Sequence, residues 1–376
     1  MKILVANLGS TSFKYSLFDM TDERELARGG IERIGGDDVP DHGMAIDRTL
    51  RQLVDDGALR SLDELAGIGF KAVHGGGAWD TAVVTDEVLT TMETFSDVAP
   101  AHNPAYVSAM RSLRDRLPDV PQVAAFETGF HRTIPEARQL FGIPYEWSSE
   151  LGVRRYGFHG ASHRYIAGRT AELLERADLK LISCHLGGSS SICAIDAGRS
   201  VANSFAMTPQ SGLPHNNRVG DFDVYAMLKL LDKTEHSFDE LLDILAKQGG
   251  LLGISGVSND LRDIEQAAEQ GNERARLAID VLVESIRNFI GAFAVALGGI
   301  DVIAFTGGIG ENAVGLRTKV CAGMDFLGVR LDETRNQTRG TEATISSDDS
   351  SVRVMIVPTN EELVVARQTK EQLSKQ

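Results

Sequence analysis

Short apolar runs that alternate with polar, glycine-containing turns open the chain. Residues 3–6 (Ile-Leu-Val-Ala) predict a buried strand, and residues 15–18 (Tyr-Ser-Leu-Phe) predict a second strand that returns beside it. We therefore expect residues 7–14 to form a hairpin whose tip carries asparagine, serine and lysine side chains. Hydroxyls, amides and an ammonium group at one tip suit a phosphoryl group, although the same residue types also fill ordinary solvated turns.

Longer segments with apolar residues at helical spacing alternate with further short apolar runs along the rest of the chain. The predicted helices are residues 44–65, 105–113, 164–174, 222–245, 264–297 and a polar segment at the C-terminal end. The predicted strands are residues 68–74, 123–126, 181–195 (a hairpin), 302–305 and a run from 354 that ends in acidic residues. This alternation predicts an α/β fold. The apolar face of residues 264–297 is wide enough for a core or for a dimer partner, and a core is the commoner outcome.

The second hairpin repeats the design of the first. Residues 184–188 (Cys-His-Leu-Gly-Gly) match residues 6–10 (Ala-Asn-Leu-Gly-Ser), since each stretch follows a buried strand and leads through serines into a returning strand. Similarity at so long a spacing predicts a duplicated domain and not a short-period repeat. Two such hairpins that face each other across a cleft would hold a phosphate chain from both sides.

A glycine-rich stretch, residues 305–312 (Phe-Thr-Gly-Gly-Ile-Gly-Glu-Asn), follows the predicted strand at 302–305. Glycines leave backbone N–H groups accessible and let a flat or anionic ligand approach closely. A glycine-rich turn is also the ordinary way to close an α/β unit, so this stretch alone leaves both interpretations open. Together with the two hairpins it predicts a nucleotide site.

Length and charge limit the classes of function. At 376 residues the chain exceeds one ordinary core and predicts two domains. A formal net charge of −15 argues against general nucleic-acid binding, but local cations and N–H groups can still hold an anionic ligand. The three cysteines lack metal-ligand spacing and suit buried thiols in a reducing compartment. No signal-peptide core and no run near the ~20 apolar residues of a membrane span is present, so we expect a cytoplasmic protein without a membrane partner.

Two histidines have the spacing of a helical metal site. His159 and His163 are four residues apart, which can place both on one helix face. Gly157 and Gly160 instead favour a loop with a positioned histidine, and no third ligand is evident. We therefore expect no zinc site.

Two further charged residues allow both a functional and a structural interpretation. Arg218 lies in the irregular segment 208–221, and ordered loops of this length are often functional; a salt bridge to a neighbouring acid is the alternative. Glu127 follows the strand at 123–126, where open α/β sheets place ligand-facing residues. A solvated loop carboxylate is the more common outcome for a lone glutamate.

In this order the motifs resemble those of the acetate kinase (acetate/propionate kinase) family, which has the two-domain, actin-like fold of sugar kinases and heat-shock ATPases. The matching stretches are residues 7–14, 73–76, 102–104, 156–163, 185–187, 218–221, 260–263, 308–312 and 359–362. The resemblance implies two duplicated actin-like (ribonuclease H-like) domains with a central nucleotide cleft. Residues 1–130 plus 363–376 would form the N-terminal domain, and residues 131–362 the C-terminal domain with the nucleotide site and a dimer surface.

The same resemblance implies a reversible phosphotransferase that is a homodimer. It would transfer the γ-phosphoryl group of ATP to the carboxylate of acetate or another short-chain fatty acid, giving an acyl phosphate and ADP, with Mg²⁺ as cofactor. The implied catalytic residues are Glu127, His159 and Arg218. The implied carboxylic-acid site consists of Lys71, Val73, Ala101, Phe158, Pro209 and Arg218. The implied nucleotide site consists of Lys14, His185, Leu186, Gly187, Gly188, Ser189, Asp260, Leu261, Arg262, Gly308, Ile309, Gly310, Glu311 and Asn312. Ser10 and Ser12 would bind phosphate, and Asn7 and Glu361 would hold Mg²⁺, which prefers oxygen ligands.

The chain departs from the family pattern at three polar positions. Lys71 stands where the family has arginine, and it keeps the charge but loses the planar fork that grips a carboxylate. Glu127 stands where the family has aspartate, and Gly188 where it has asparagine. Such changes can cost orders of magnitude where catalysis depends on positioning. The alternatives are therefore a divergent propionate or butyrate kinase, an enzyme with another phosphoryl donor, or a weakly active nucleotide-binding paralogue.

A fourth departure concerns the acyl pocket. Ala101 stands where the family has leucine, which frees space for about three carbons, and each buried CH₂ of a longer acyl chain would gain ~0.8 kcal/mol. We therefore expect tolerance of propionate or butyrate relative to acetate.

Overall fold

The computed structural model describes residues 1–9, 11–96, 98–99 and 102–375, and it divides into two compact units. Unit 1 contains Met1–Arg132, Gly160–Ser162 and Asn360–Gln376. Unit 2 contains Thr133–His159 and His163–Thr359.

The strands and helices follow each other in the order expected for an α/β fold. The strands are β1 (Lys2–Gly9), β2 (Ser12–Asp19), β3 (Arg24–Glu32), β4 (Leu65–Ala72), β5 (Thr81–Val83), β6 (Gln122–Phe126), β7 (Lys180–His185), β8 (Ser191–Asp196), β9 (Arg199–Asn203), β10 (Val302–Thr306), β11 (Ala343–Thr344) and β12 (Arg353–Ile356). The helices are α1 (His42–Asp55), α2 (Asp86–Thr94), α3 (Asn103–Arg116), α4 (Glu136–Gln139), α5 (Tyr145–Ser149), α6 (Gly160–Leu173), α7 (Ala226–Lys233), α8 (Phe238–Lys247), α9 (Gly250–Ser255), α10 (Leu261–Glu269), α11 (Glu273–Leu297), α12 (Gly307–Asn312), α13 (Val314–Cys321) and α14 (Glu361–Leu373). Short 3₁₀ helices cover Leu62–Glu64, Gly129–Thr133, Asp325–Leu327 and Arg335–Gln337.

The two sheets have the same topology. Unit 1 has the strand order β3-β2-β1-β4-β6-β5, and unit 2 has β9-β8-β7-β10-β12-β11. In both sheets the first three strands pair antiparallel, the next two pairings are parallel, and the last is antiparallel. Each strand of one sheet therefore has a counterpart in the other. The predicted α/β class and the duplicated actin-like architecture are confirmed.

The centre of each sheet is apolar on the faces that helices cover. In unit 1, β1, β4 and β6 are almost entirely buried, and α14 packs against all three. In unit 2, α11 packs against β7, β8 and β9. Asn272 caps its N-terminus with a side chain that accepts from the Ala275 N–H, and Gly298 follows its C-terminus with a left-handed backbone (φ +64°) that suits glycine. Its apolar face is mostly core, the commoner of the two outcomes expected for it.

Some predicted helix limits are wrong. The helix expected over residues 44–65 is α1, which ends at Asp55, because Gly57 with φ +75° and the following turn stop it. The helix expected over 264–297 is interrupted between α10 and α11 at Gly271. Residues 307–312, expected as a glycine-rich turn, form the short helix α12.

The cysteines and the membrane prediction have simple outcomes. Cys184, Cys193 and Cys321 are all buried and free, as predicted. Within the described ranges of the chain, no helix is both long and apolar enough to cross a membrane.

Candidate active site

A buried charge cluster lies at the carboxyl ends of the parallel strands of unit 1. Lys71 is the penultimate residue of β4, and its Nζ donates to Oε2 of Glu361, the first residue of α14. Both side chains are mostly buried. Burial alone would lower the pKa of Lys71, but the carboxylates of Glu361 and Glu127 outweigh burial and raise it. Lys71 is therefore held as a cation between two acids.

Glu127 is the acid of this cluster whose carboxylate is left available. It follows β6 directly and is 5% exposed. Neither of its carboxylate oxygens makes a hydrogen bond of normal geometry to any residue that the structure describes. Burial raises its pKa to about 7; Lys71 opposes the rise, Glu361 adds to it, and the nearby N–H groups of Gly160 and Ala161 oppose it. A buried carboxyl without a partner is costly, which is typical of a group kept for a ligand or a reaction.

The backbone around Glu127 requires a glycine at position 160. The Gly160 N–H donates to the Glu127 carbonyl oxygen at 3.0 Å. A Cβ at position 160 would lie 2.3 Å from the same oxygen. The glycine expected to keep this segment in a loop is thus the first residue of α6, so the loop prediction for residues 160–163 is wrong.

Asn7, the predicted magnesium ligand on β1, is oriented by a buried tyrosine. The Tyr106 hydroxyl donates to Asn7 Oδ1 at 3.2 Å and accepts from the Leu8 N–H at 3.0 Å. Tyr106 is 1% exposed. The asparagine amide oxygen is therefore held in one orientation before any ligand arrives.

The exit of β4 is fixed by a buried asparagine. Asn103 begins α3, and its Nδ2 donates to the carbonyl oxygens of His74 (3.0 Å) and Met92 (2.8 Å). The His74 ring stacks on Phe95 at a centroid distance of 4.6 Å. Two stretches of the family resemblance, residues 73–76 and 102–104, thus meet here. Val73, a predicted acyl contact, lies half-buried between Lys71 and this anchor.

The first hairpin is tighter than predicted. Because β1 extends to Gly9 and β2 begins at Ser12, Asn7 and Lys14 oppose each other within the ladder and not in the tip. Opposed residues place their side chains on the same face of the sheet, so Lys14 remains beside Asn7. Ser12 is half-buried at the start of β2. The predicted contacts Ser10 and Ala101 lie outside the described residues.

In unit 2, the second hairpin and the glycine-rich helix α12 are joined by one carbonyl group. The Leu186 carbonyl oxygen accepts from the N–H groups of Ile309 (2.9 Å) and Gly310 (3.1 Å). Gly307 has φ +74°, and a Cβ there would lie 2.6 Å from that oxygen. Only glycine fits this position. Two motifs far apart in sequence therefore form one surface.

Gly307→Ala is expected to destabilise the protein by roughly 2 kcal/mol or more, because alanine meets both the left-handed backbone and the Leu186 carbonyl. The neighbouring Gly308→Ala is the matched control: position 308 has no atom within 4 Å of an added Cβ. Its effect should be near zero or slightly stabilising. Urea unfolding of both variants measures the difference, and equal midpoints would contradict this account of the Leu186–α12 junction.

Arg218 is a half-buried cation that makes no ion pair within the described part of the chain. Its Nη1 donates to Ser189 Oγ (3.1 Å) and to the Pro209 carbonyl oxygen (3.2 Å). The salt bridge considered as its alternative is not formed among the described residues, and Asp221 Oδ1 accepts from the Gly212 N–H at 2.8 Å. Burial lowers the pKa of Arg218, but a guanidinium stays charged at neutral pH. The structure thus presents a positive charge beside a predicted nucleotide contact.

A buried histidine supports the Arg218 loop. His215 Nδ1 accepts from the Ser190 N–H at 3.0 Å, and its Nε2 lies 3.2 Å from the Ser211 carbonyl oxygen. Burial, together with the nearby positive charge of Arg218, lowers the pKa of His215 to about 4. His215 is therefore neutral at pH 7 and carries its proton on Nε2.

Aromatic rings hold the predicted catalytic His159. Its ring lies 4.2 Å from that of His185 and 5.1 Å from that of Phe205, measured between centroids. Phe158, a predicted acyl contact, packs edge-on against Phe205 at 5.8 Å. His159 Nδ1 lies 2.9 Å from Ser191 Oγ. Across the described positions, no three His, Cys, Asp or Glu side chains are grouped to hold a metal ion.

The remaining predicted nucleotide residues surround the ends of α10 and α12. Asp260 caps α10 and pairs with the exposed Arg262, whose side chain, together with its N–H, lowers the Asp260 pKa to about 2. The Leu261 side chain is in the hydrophobic core, so only its backbone is open to a ligand. Asn312 Nδ2 donates to the Gly308 carbonyl oxygen. Burial raises the pKa of the half-buried Glu311.

A cavity of about 420 Å³ opens between α10 and α13. Apolar atoms of Ala268 and Leu316 and the charged groups of Glu265 and Arg339 are part of its lining. Arg339 also donates to the Asn312 carbonyl oxygen at 2.9 Å. The cavity therefore adjoins the last turn of α12.

Several residues that shape the site carry no signal that sequence analysis could use. Tyr106 and Phe205 belong to none of the charged or glycine-rich patterns, and Ser191 is the last of three consecutive serines in the second hairpin, which do not show which one contacts a histidine. Tyr106 reaches a residue 99 positions away. Only its spacing within a helix that also carries Asn103 could have suggested a role. The spacing of His163 raises the question of a metal site, which the sequence analysis answers in the negative, and it gives no sign of the contacts of His163 with Ser183 and Ser191.

The site residues come from a chain whose relatives are well defined. A model of the acetokinase family matches residues 2–367. Acetate kinases of Geobacillus sp. (strain WCH70) and Bacillus subtilis (strain 168) are each 44% identical to this chain over 386 aligned positions, which cover 97% of this chain and 97% and 98% of theirs.

Solved structures agree with this assignment. The crystal structure of Porphyromonas gingivalis acetate kinase superposes with a TM-score of 0.93 at 38% identity, covering 99% of both chains. That of a propionate kinase from Francisella tularensis superposes with a TM-score of 0.91 at 32% identity, covering 98% of this chain and 99% of that one. The predicted resemblance is confirmed: the chain belongs to the acetokinase family.

Proposed function

We propose that this protein is an acetate kinase-type phosphotransferase, which reversibly transfers the γ-phosphoryl group of ATP to the carboxylate of a short-chain fatty acid. The observation that carries the proposal is Arg218, a half-buried cation that has no ion-pair partner among the described residues and donates to Pro209 and Ser189. Such a charge stabilises the protein only when an anion arrives. An apolar neighbour such as Pro209 suits an anion with a short hydrocarbon tail.

The chemistry needs charge neutralisation more than proton transfer. A carboxylate is already ionised at neutral pH, so it attacks phosphorus without a general base. The transition state spreads negative charge over the equatorial phosphoryl oxygens. In unit 2, Arg218 and His159 are the donors proposed to stabilise that charge. In unit 1, Lys71 supplies a second cation, and Glu127 is proposed to keep the reacting groups oriented.

The donor set of unit 1 fits Mg²⁺. Asn7 offers an oriented amide oxygen, Glu361 offers a carboxylate, and the Glu127 carboxylate oxygens are buried without normal hydrogen bonds. Mg²⁺ is typically bound by one or two carboxylates together with water and substrate phosphates, and not by a cage of protein ligands. We propose Asn7 and Glu361 as the residues that hold it. When bound, the ion would offset the charge of the nucleotide phosphates.

For the nucleotide, the joined surface of the second hairpin and α12 is the proposed site. It contains His185, Gly187 and Gly188 on one side and residues 308–312 on the other. The adjoining cavity of about 420 Å³ lies within the range of small-molecule pockets. We propose that adenosine lies on the side of this surface that adjoins the cavity. We propose the cytoplasm as the compartment, because it supplies ATP and because its reducing conditions suit three buried thiols that form no disulfide among the described residues.

A coupled assay of ADP release with acetate, propionate and butyrate tests the proposal. We expect turnover with at least one acid and none with ATP alone. Absence of turnover with every acid, alongside normal ATP binding by calorimetry, would instead favour a weakly active nucleotide-binding paralogue.

The acyl preference follows from Ala101, where the family has leucine. We expect propionate and butyrate to be accepted well relative to acetate, since each additional buried CH₂ contributes ~0.8 kcal/mol. Ala101→Leu should shift preference back to acetate. At least a tenfold preference of the unsubstituted protein for acetate over propionate, in kcat/KM, would contradict this expectation.

We also propose a homodimer that forms through the α7–α8 face. This face exposes large apolar side chains, namely Phe222, Val224, Tyr225, Leu228, Leu231, Phe238 and Leu242. Contiguous exposed apolar patches mark interaction sites. Light scattering is expected to give the mass of two chains, and Leu228→Asp should reduce it to that of one. A single-chain mass for the unsubstituted protein would exclude the dimer.

A further inference from the structure

Beside the predicted catalytic histidine, a chain of hydrogen bonds runs through the interior of unit 2. Ser183 Oγ lies 2.9 Å from His163 Nδ1. Ser191 Oγ lies 2.8 Å from His163 Nε2 and 2.9 Å from His159 Nδ1. Ser183, His163 and Ser191 are fully buried. Four side chains from β7, β8 and the start of α6 therefore form one continuous series.

The direction of these hydrogen bonds follows from the first serine. In the described structure, His163 Nδ1 is the one hydrogen-bond partner of the Ser183 hydroxyl. A proton on Nδ1 would leave the Ser183 hydrogen buried without an acceptor, which is unfavourable because a buried donor then loses its hydrogen bond. Ser183 therefore donates to Nδ1, and the neutral His163 ring carries its proton on Nε2.

The remaining two bonds are then determined. His163 Nε2–H donates to Ser191 Oγ. A serine hydroxyl has a single hydrogen, and Ser191 must give it to His159 Nδ1. His159 Nδ1 is consequently an acceptor, and the neutral His159 ring carries its proton on Nε2.

We propose that Ser183, His163 and Ser191 are positioning residues that fix His159 as an Nε2–H donor toward the transferring phosphoryl group. This inference rests on the proposed function for the identity of the group that His159 meets. A ring of the wrong tautomer presents a lone pair to an anion where a donor is needed, which costs orders of magnitude in other histidine enzymes. The ring contacts with His185 and Phe205 set the plane of His159, and Ser191 sets its protonated nitrogen.

The experiment compares three serine variants in ¹⁵N-histidine-labelled protein. Ser191→Ala removes the donor to His159, and Ser183→Ala removes the group that orders His163. Ser204→Ala is the matched control: Ser204 is a buried serine whose hydroxyl accepts from the Ile192 N–H at 2.9 Å and takes no part in the chain. Long-range ¹H–¹⁵N spectra of the ligand-free protein report the tautomer, and loss of a signal in His159→Gln assigns His159.

The unsubstituted protein should show a single His159 tautomer with its proton on Nε2 and a hydrogen-bonded Nδ1. Ser191→Ala should remove the hydrogen-bond signature at Nδ1 and lower kcat on the order of tenfold to a hundredfold, with KM for the carboxylate within about twofold. Ser183→Ala should give a smaller fall in kcat and a mixed His163 tautomer. Ser204→Ala should leave the His159 spectrum and kcat unchanged.

Two results would overturn the inference. One is a His159 proton on Nδ1 in the unsubstituted protein; the other is a Ser191→Ala variant that matches Ser204→Ala in both spectrum and kcat. Because the spectra need no substrate, they separate this inference from the proposed reaction. If the protein shows the predicted His159 tautomer but has no kinase activity, the proposed reaction is overturned and the inference about the hydrogen-bond chain stands. If Ser191→Ala fails to fold, the unsubstituted spectrum and Ser183→Ala still decide the question.

Discussion

Arg218→Ala is expected to lower kcat/KM for the carboxylate by about a thousandfold, because the transition state loses a cation that offsets its charge. Arg218 is half-buried and makes no ion pair within the described residues, so its loss leaves unit 2 without its proposed positive charge for the substrate. Arg218→Lys should retain more activity than alanine but remain well below the unsubstituted protein, because lysine keeps the charge and loses the planar fork. Steady-state kinetics with saturating ATP measure both.

The control is Arg274→Ala, since Arg274, like Arg218, makes two hydrogen bonds to uncharged oxygens, in its case the carbonyl oxygens of Ile254 and Gly253, and belongs to no predicted site. It should keep kcat/KM within a few fold. ATP binding measured by calorimetry should be similar in the three variants Arg218→Ala, Arg218→Lys and Arg274→Ala. An Arg218→Ala variant within tenfold of the unsubstituted enzyme would remove Arg218 from the proposed chemistry.

Glu127→Gln is expected to lower kcat by about a hundredfold or more and to stabilise the fold at high pH. Activity falls because the amide keeps the shape and loses the charge of the buried carboxylate that orients the reaction. Stability rises because ionised Glu127 is buried without normal hydrogen bonds. A residue that costs stability and supports activity is typical of an active site.

The sign of the pH effect follows from the raised pKa. Folding moves the Glu127 pKa from 4.5 to about 7, so the folded state binds the proton more tightly than the unfolded one. The stability that protonation of Glu127 contributes is then fully present below about pH 4.5, and it declines as the pH rises to about 7. Glutamine does not titrate. The free energy of unfolding of Glu127→Gln should therefore rise relative to that of the unsubstituted protein over this pH range, by at most about 3 kcal/mol.

Glu64→Gln provides the opposite sign as a control. Hydrogen bonds from Lys2 and Arg60 lower the pKa of Glu64 to about 2. Its carboxylate therefore contributes stability above about pH 4.5 that is lost at lower pH. At neutral pH the Glu64→Gln variant should be less stable than the unsubstituted protein. Urea unfolding at pH 5 and pH 8 measures both variants. A Glu127→Gln difference that does not grow between these pH values would contradict the assigned burial cost.

The sequence predicts much of the frame that carries this site. Strand positions followed from short apolar runs, and the duplication followed from two matching hairpins, because both signals are local along the chain. Helix limits were less accurate. The expected helix 44–65 continued the apolar spacing past Asp55, although Gly57 adopts a left-handed backbone that ends it.

Contacts between distant residues could not be predicted in the same way. In the sequence Arg218 is as compatible with a salt bridge as with a substrate, and only its contacts separate the two: among the described residues its Nη1 donates to Ser189 Oγ and the Pro209 carbonyl oxygen and to no acid. Tyr106 and Ser191 act through hydrogen bonds to Asn7 and to two histidines. A tyrosine in a helix and a serine in a strand carry no such information by themselves.

The path of the acceptor oxygen tests most directly whether the carboxylate attacks the γ-phosphorus. Acetate or propionate labelled with ¹⁸O at both carboxylate oxygens is incubated with the protein, Mg²⁺ and ATP, and the product phosphorus is examined by ³¹P NMR. Attack of the carboxylate on the γ-phosphorus predicts an acyl phosphate with one ¹⁸O on phosphorus, formed in equal amount with ADP. Unlabelled inorganic phosphate released with ADP would show that water, and not the carboxylate, is the acceptor.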